Sequence, residues 1–360
     1  MKILIINTNR FDRNGMSTFV MNYAKAFVKF GTSVDVLVNG FIEQDFNDLL
    51  VELGINVYNF GNRNRQPLKY VRKLRELIRK EEYDIVYVQG NSATLAIEAF
   101  AVNPFRNQLK VAMHAHGVTT SHPFINSLLK QYFLNHFDIA LAASQAAGEF
   151  LFDGRSFDVV KNGINVDEFG YSNINRENVR NALKLAPNQK LIVQLGALTP
   201  QKNYPFTLDI AESFLNDNST YFALFGDGPE YNQISQEIAN RQLTNIGLFK
   251  PIKDVSAVLS AADGVIFPSR FEPFGLVALE AQSVGTMLAV SNVFVRELDI
   301  TPAISYLDLN VQAWHEWIDD LSVGNRYDSA LTQKLIVEAQ FDMDTNATKL
   351  LHVFESYLLK

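Results

Sequence analysis

Two glutamates offer the first chemistry in this chain. In Phe267-Pro268-Ser269-Arg270-Phe271-Glu272-Pro273-Phe274-Gly275-Leu276, continuing to Glu280-Ala281, seven residues separate the carboxylates Glu272 and Glu280. The run reads as strand, tight loop and helix. Pro273 biases Glu272 away from helical angles, which leaves Glu272 in the loop and Glu280 about two turns into the helix. The amides of Phe274, Gly275 and Leu276 then open that helix, an end that draws anions and oxygen-rich ligands. A hydrolytic carboxylate pair needs roughly 5–9.5 Å between its groups, whereas eight helical residues rise ~12 Å. The spacing therefore does not favour glycoside hydrolysis. On spacing alone, a functional pair and two ordinary glutamates, one solvated and one on a helix face, stand level.

His114-Ala115-His116-Gly117 closes an apolar run. In a strand, residues i and i+2 share a face, so the two imidazoles could hold a metal or serve as hydrogen-bonded core groups. No carboxylate lies nearby in sequence, which weakens the metal reading. Asp342-Met343-Asp344 spells a metal-binding D-x-D pattern, but it stands just before the last helix and reads as helix-entry chemistry.

The elements that must position these groups follow from pattern. Short apolar runs alternate with amphipathic helical stretches: 3–6, a helix near 17–30, 34–38, a helix near 67–80, 85–88, a helix from 92, 110–114, a helix near 124–137, and 139–142. Buried strands alternating with helices specify a parallel sheet covered on both faces. Asn162-Gly163 breaks the rhythm as a turn signal. A second such unit follows, with strands at 191–195, 221–225, 246–248, 265–267 and 287–290, and helices from 203, from 229 and near 276–284. The expectation is an α/β chain of two Rossmann-like doubly wound parallel-sheet domains facing across a cleft. The first covers 1–165 and the second 172–340, with a linker at about 161–172. Ligands of such sheets bind beyond the carboxyl ends of the strands.

Composition bounds the class. The chain has 360 residues, 47% hydrophobic and 20% charged, with 32 Lys+Arg against 39 Asp+Glu and a net charge of −7. That balance disfavours a dedicated nucleic-acid binder. The absence of cysteine excludes a disulfide framework and thiolate catalysis. No apolar run reaches the ~18 residues of a membrane span, and the first apolar stretch is too short for a secretory signal, so the expected location is cytoplasmic. Neither G-x-G-x-x-G nor G-x-x-x-x-G-K-[ST] occurs, which leaves nicotinamide enzymes and P-loop NTPases unsupported. The 62–80 segment is basic: Arg63, Arg65, Lys69, Arg72, Lys73, Arg75, Arg79 and Lys80 oppose Glu76 alone, beside an apolar stripe of Tyr70, Val71, Leu74, Leu77 and Ile78. It reads as an amphipathic helix packed on the sheet. The sharper reading adds a patch for an anionic membrane surface, since bases near such a surface contribute ~1 kcal/mol each.

Taken together, these motifs resemble a known family. Glu272 and Glu280 resemble the E-x7-E motif of the retaining GT-B glycosyltransferases of family 4. Residues 161–169 resemble its interdomain segment, and Gly196–Asn203 its G-R-x-x-x-x-K-N phosphate loop. Phe225-Gly226-Asp227-Gly228-Pro229 resembles its G-x-G-P turn, and Arg13-Asn14-Gly15-Met16-Ser17-Thr18 its first-domain glycine loop. The order of all five covers nearly the whole chain and is most similar to bacterial exopolysaccharide and capsule enzymes.

The resemblance implies that Glu272 holds hydroxyls of a donor sugar, beside the Phe274, Gly275 and Leu276 amides. Glu280 would grip a ribose diol, Lys202 the donor diphosphate, and Gly15 and Gly196 would let backbone approach the donor closely. His116, with His114 second, would hydrogen-bond near the anomeric centre, on the acceptor side with Asn14 and Gly15. The implied catalytic set is His116, Lys202 and Glu272, with no metal and no other cofactor. The last helix, 345–360, would pack back on the first domain.

Two departures stand out: Asn14 replaces the first glycine of the usual pair, and Ala197 stands where the family usually has a phosphate-binding arginine. A charge-assisted hydrogen bond contributes roughly 1.5–3 kcal/mol. Arg270 is the nearby cation that could replace it. The expected activity is transfer of a sugar from a nucleotide-sugar, a UDP-sugar, to a saccharide on a lipid-linked acceptor at the inner membrane face. A GT-B partner subunit with weakened catalysis is the rival that Ala197 suggests. Sucrose-type synthesis, phosphorolysis or epimerisation on the same fold is the second.

Overall fold

The structure, a computed structural model, describes residues 1–12, 14–120, 123–272 and 274–359. Arg13 of the glycine loop and Pro273 of the Glu272 loop thus lie outside the described residues.

The chain divides into two units, residues 1–163 with 343–360, and residues 164–342. In the first, strands β1 (Lys2–Asn7), β2 (Ser33–Val38), β3 (Asn56–Asn59), β4 (Ile85–Gly90), β5 (Lys110–Ala115), β6 (Ile139–Ala142) and β7 (Asp158–Val159) alternate with helices α1 (Gly15–Lys29), α2 (Gln44–Glu52), α3 (Pro67–Glu81), α4 (Ala96–Val102), α5 (Pro123–Leu134) and α6 (Gln145–Phe152). In the second, α7 (Asn173–Ala182) precedes β8 (Lys190–Leu195), α8 (Tyr204–Ser213), β9 (Thr220–Phe225), α9 (Tyr231–Asn240), β10 (Ile246–Phe249), α10 (Val255–Ala261), β11 (Gly264–Phe267), α11 (Leu276–Val284), β12 (Leu288–Ser291), β13 (Ile304–Leu307), α12 (Val311–Asp319) and α13 (Ser329–Glu338). Helix α14 (Met343–Leu358) belongs to the first unit and packs on α1.

Both sheets are wholly parallel. The first runs β3-β2-β1-β4-β5-β6-β7 and the second β10-β9-β8-β11-β12-β13. Strand order reverses between β1 and β4, and again between β8 and β11. At such points the connections leave in opposite directions and open a crevice beyond the strand ends. The inner strands are buried almost throughout, as continuous runs such as Ile3-Leu4-Ile5-Ile6 and Val265-Ile266-Phe267 require, while the edge strands β3, β7, β10 and β13 are partly exposed. Apolar clusters fill both faces of each sheet.

Helix ends follow local chemistry. Asn14 Oδ1 accepts the Ser17 amide at 3.0 Å and caps α1. The residue that departs from the family's glycine pair therefore starts the helix. Pro67 opens α3, where its missing N–H costs nothing. Asp344, of the D-x-D pattern, lies in the first turn of α14 and pairs with Lys29 on α1.

The basic segment needs a correction. Arg63 is not on the surface: it is 3% exposed and its Nη1 lies 3.3 Å from Glu98 Oε2 on α4, with Thr94 accepting further bonds from the guanidinium. A buried carboxylate demands a partner, and Arg63 is that partner. Arg75 is partly spent on the Phe100 and Ala101 carbonyls, and Lys73 is half-buried against the Phe60 ring. The exposed cations are Arg65, Lys69, Arg72, Arg79 and Lys80, while the apolar stripe is buried as expected. Among the described residues, no helix is long and apolar enough to cross a membrane.

Candidate functional site

Most of the candidate residues stand where the strand order reverses. In the second unit, the loops after β8 and β11 carry Gly196, Ala197, Lys202, Arg270 and Glu272. They are laced together. Asn203 donates to the Pro268 carbonyl at 3.0 Å and accepts from Arg270 Nε at 3.0 Å. The Arg270 amide donates to the Gln201 carbonyl at 2.8 Å. Lys202 closes a short 3-10 turn, and its ammonium pairs with Glu272. Gln194, buried in β8, donates to the Lys202 carbonyl at 2.9 Å and is itself fixed by Thr207 at 2.6 Å. Gln194 went unnoticed in the sequence because a lone amide in an apolar strand belongs to no motif.

The Phe225–Pro229 turn braces this loop from the side. The amides of Gly196 and Leu198 donate to the Phe225 and Asp227 carbonyls, at 3.0 and 2.9 Å. A Cβ on Gly226 would stand 2.0 Å from the Gly196 oxygen, so only glycine permits this backbone approach.

Helix α11 begins beside Glu272. Gly275 takes φ 98°, in the left-handed region, and no side chain caps the helix. The amides of Phe274, Gly275 and Leu276 have no partner among the described residues, so the positive end of α11 is available to a ligand. Glu280 lies in the second turn, half-buried and without a hydrogen bond among the described residues. Burial, and then the charge of Glu168, push its carboxyl up to about 7.

In the first unit, Asn14 and Gly15 stand at the start of α1 after β1, and a Cβ on Gly15 would meet nothing within 4 Å. His114 and His116 share one face at the end of β5, with rings stacked 4.3 Å apart. Phe19 of α1 stands edge-on to both. His114 is completely buried, its Nδ1 2.5 Å from the Tyr87 hydroxyl. Its expected acceptor-side place is therefore corrected: an enclosed ring cannot touch an acceptor, and it instead backs His116. His116 is half-buried, with Nε2 2.7 Å from Gln89 Oε1. Burial lowers His116 to about 3, and burial followed by the His116 ring lowers His114 well below its usual range, so both are neutral at working pH. Among the described residues, no three His, Asp or Glu side chains gather as metal ligands.

Two sequence families match. Residues 13–168 match Glycosyltransferase Family 4, and residues 175–298 match Glycosyl transferases group 1. The putative glycosyltransferase EpsF of Bacillus subtilis (strain 168) is 22% identical over 95% of this chain and 94% of its own. A UDP-Gal:alpha-D-GlcNAc-diphosphoundecaprenol alpha-1,3-galactosyltransferase of Escherichia coli is 28% identical over 40% of this chain and 39% of its own. Among solved structures, Anabaena HepE in complex with UDP superposes with a TM-score of 0.76 at 20% identity, covering 99% of this chain and 100% of that one. HepE has also been solved with UDP-glucose, with a TM-score of 0.70 at 21% identity over 99% and 100% of the two chains.

Proposed function

Because this chain belongs to the GT-B glycosyltransferases of family 4, we propose that it moves a sugar from a UDP-sugar to a lipid-linked saccharide with retention of anomeric configuration. The observation that carries the donor half is the second-unit cluster: Lys202, Glu272 and Arg270 held on two interlocked loops beside the uncapped start of α11. Each group has a use there. An ammonium has three N–H donors, so Lys202 can keep Glu272 while two donors face a diphosphate. The α11 amides add donors of the same sense. Glu272 accepts sugar hydroxyls, and Glu280, once ionised, accepts both hydroxyls of a ribose diol. These groups supply the charge that departing diphosphate needs, so the reading requires no metal; the enzyme should be indifferent to EDTA. UDP is chosen because HepE was solved with UDP and with UDP-glucose.

The transfer we favour is front-face. The bond from the anomeric carbon to the diphosphate breaks, the acceptor oxygen bonds on the same face, and the acceptor proton passes to the departing diphosphate oxygen. Lys202 steadies the charge developing on that oxygen. His116, lowered to about 3, is too weak a base at neutral pH to take that proton, which leaves it hydrogen bonding near the anomeric centre. A glycosyl-enzyme intermediate seen by mass spectrometry would overturn the scheme.

The partner-subunit reading rests on Ala197, which is exposed and carries no charge. Arg270 answers it: its guanidinium donates to Asn203 and its backbone amide to the Gln201 carbonyl, which ties the residue to the Lys202 loop. For the acceptor, support comes from the exposed cations of α3, suited to an anionic membrane surface, and from the Escherichia coli relative, whose name specifies a diphosphoundecaprenol substrate. A role in surface polysaccharide synthesis at the inner membrane face follows from that chemistry. Glu272→Ala tests the enzyme reading: donor turnover should fall by about 10²–10³, whereas a scaffold would keep its role.

A further inference from the structure

We infer that Gln89 is the positioning residue that sets the tautomer of His116: its side-chain carbonyl holds the Nε2 proton and leaves Nδ1 as the acceptor that the ring offers. The inference rests on the role proposed for His116 and adds how that role is enforced. Three contacts hold the imidazole. It stacks on His114 at 4.3 Å and 15°, Phe19 meets it edge-on at 4.8 Å, and Gln89 Oε1 lies 2.7 Å from Nε2. The two ring contacts fix the plane but do not distinguish one nitrogen from the other. Only Gln89 does so, because a carbonyl oxygen accepts and cannot donate. Nδ1 has no hydrogen-bond partner among the described residues.

Gln89 is itself immobile. It is completely buried in β4, and its backbone carbonyl accepts the Thr8 amide at 3.3 Å and the Thr8 hydroxyl at 2.7 Å. The backbone of His116 is tied to the same strand through its amide, which donates to the Gly90 carbonyl at 3.1 Å. The Gln89 amide nitrogen is buried with no partner. Leaving a buried donor without a partner is unfavourable, so a wholly apolar side chain would suit this strand better if packing were the sole demand. A neutral ring with a bare Nδ1 accepts a hydrogen bond from a hydroxyl and has none to give a phosphate oxygen. The pair therefore favours a sugar hydroxyl as the partner of His116.

The test is nitrogen-15 NMR of the full chain, with His116 assigned through a His116→Gln control. Wild type should show a pyrrole-type Nε2 and a pyridine-type Nδ1. Gln89→Met keeps the volume and removes the carbonyl; the two signals should move toward an averaged pair, and kcat should fall about tenfold with little change in donor KM. Gln89→Glu keeps an acceptor, so the pyrrole-type Nε2 should persist. A wild-type Nδ1–H, or an unchanged pattern in Gln89→Met, overturns the inference. If wild type turns over no donor, the reading of the reaction fails, while the nitrogen spectra still decide the role of Gln89. Altered spectra with unaltered kcat would overturn the link to catalysis.

Discussion

Glu280 has a carboxyl raised to about 7, and that one residue predicts two pH dependences of opposite sign. Between its ordinary 4.5 and about 7 the folded chain keeps a proton that the unfolded chain has released. Stability therefore falls as pH rises through that window. Gripping a ribose diol calls for the ionised form, so nucleotide affinity should rise over the same window. Glu280→Gln should flatten both curves, as read by thermal unfolding and by titration with UDP; a UDP affinity profile unchanged by the substitution would remove Glu280 from the ribose site. Arg270 carries the second prediction at this scale. If it replaces the cation missing at Ala197, Arg270→Ala should weaken donor binding by one to two powers of ten. Ala197→Arg in that background should then restore much of the loss. A calorimetric titration with UDP-sugar in the two variants measures both.

At the scale of elements, the interlocked loops and the basic helix make separable claims. Gly226→Ala would drive a Cβ into the Gly196 carbonyl and displace the Lys202 loop. Donor affinity should fall at least tenfold while the first unit keeps its fold, as amide exchange would show. In the basic segment, Arg63→Ala strands Glu98 and should cost about 3–5 kcal/mol. Reversing the charge of Arg72 and Lys80 should leave stability within ~0.5 kcal/mol and lower binding to anionic vesicles. Equal destabilisation in both cases would refute the division.

The same segment shows where sequence reasoning stops. The 3.6-residue stripe of Tyr70, Val71, Leu74, Leu77 and Ile78 placed the helix and its buried face. Nothing in spacing linked Arg63 to Glu98, because that pairing depends on how the turn before α3 packs against α4. Helix α11 was legible at both ends, since Gly275 and Gly285 bound it. Helices α2, α6, α7, α10, α12 and α13 were not, nor were β3, β7 and β13: they are short and carry mixed faces such as Asn-Val-Tyr-Asn and Ile-Ser-Tyr-Leu. For the candidate site, charged residues in known spacings were visible. The neutral amides Gln89 and Gln194, which hold His116 and the Lys202 loop, were not.

At the scale of the molecule, the two sheets repeat one physical arrangement. Each is parallel, each reverses its strand order once, and each places candidate residues beside that reversal: Asn14 and Gly15 in one, with His116 one strand further on, and Lys202, Arg270 and Glu272 in the other. Ala197 stands where the resemblance of Gly196–Asn203 to a phosphate loop implies a phosphate-binding arginine. Whether the second unit still binds and activates a donor is the central claim. Ligand-observed NMR of the purified protein against UDP-, GDP-, ADP- and dTDP-sugars, followed over hours for release of nucleotide, tests it most directly. The account predicts selective binding of a UDP-sugar with slow release of UDP, abolished in Glu272→Ala. No binding by any member of the panel would contradict it and make the partner-subunit reading the better one.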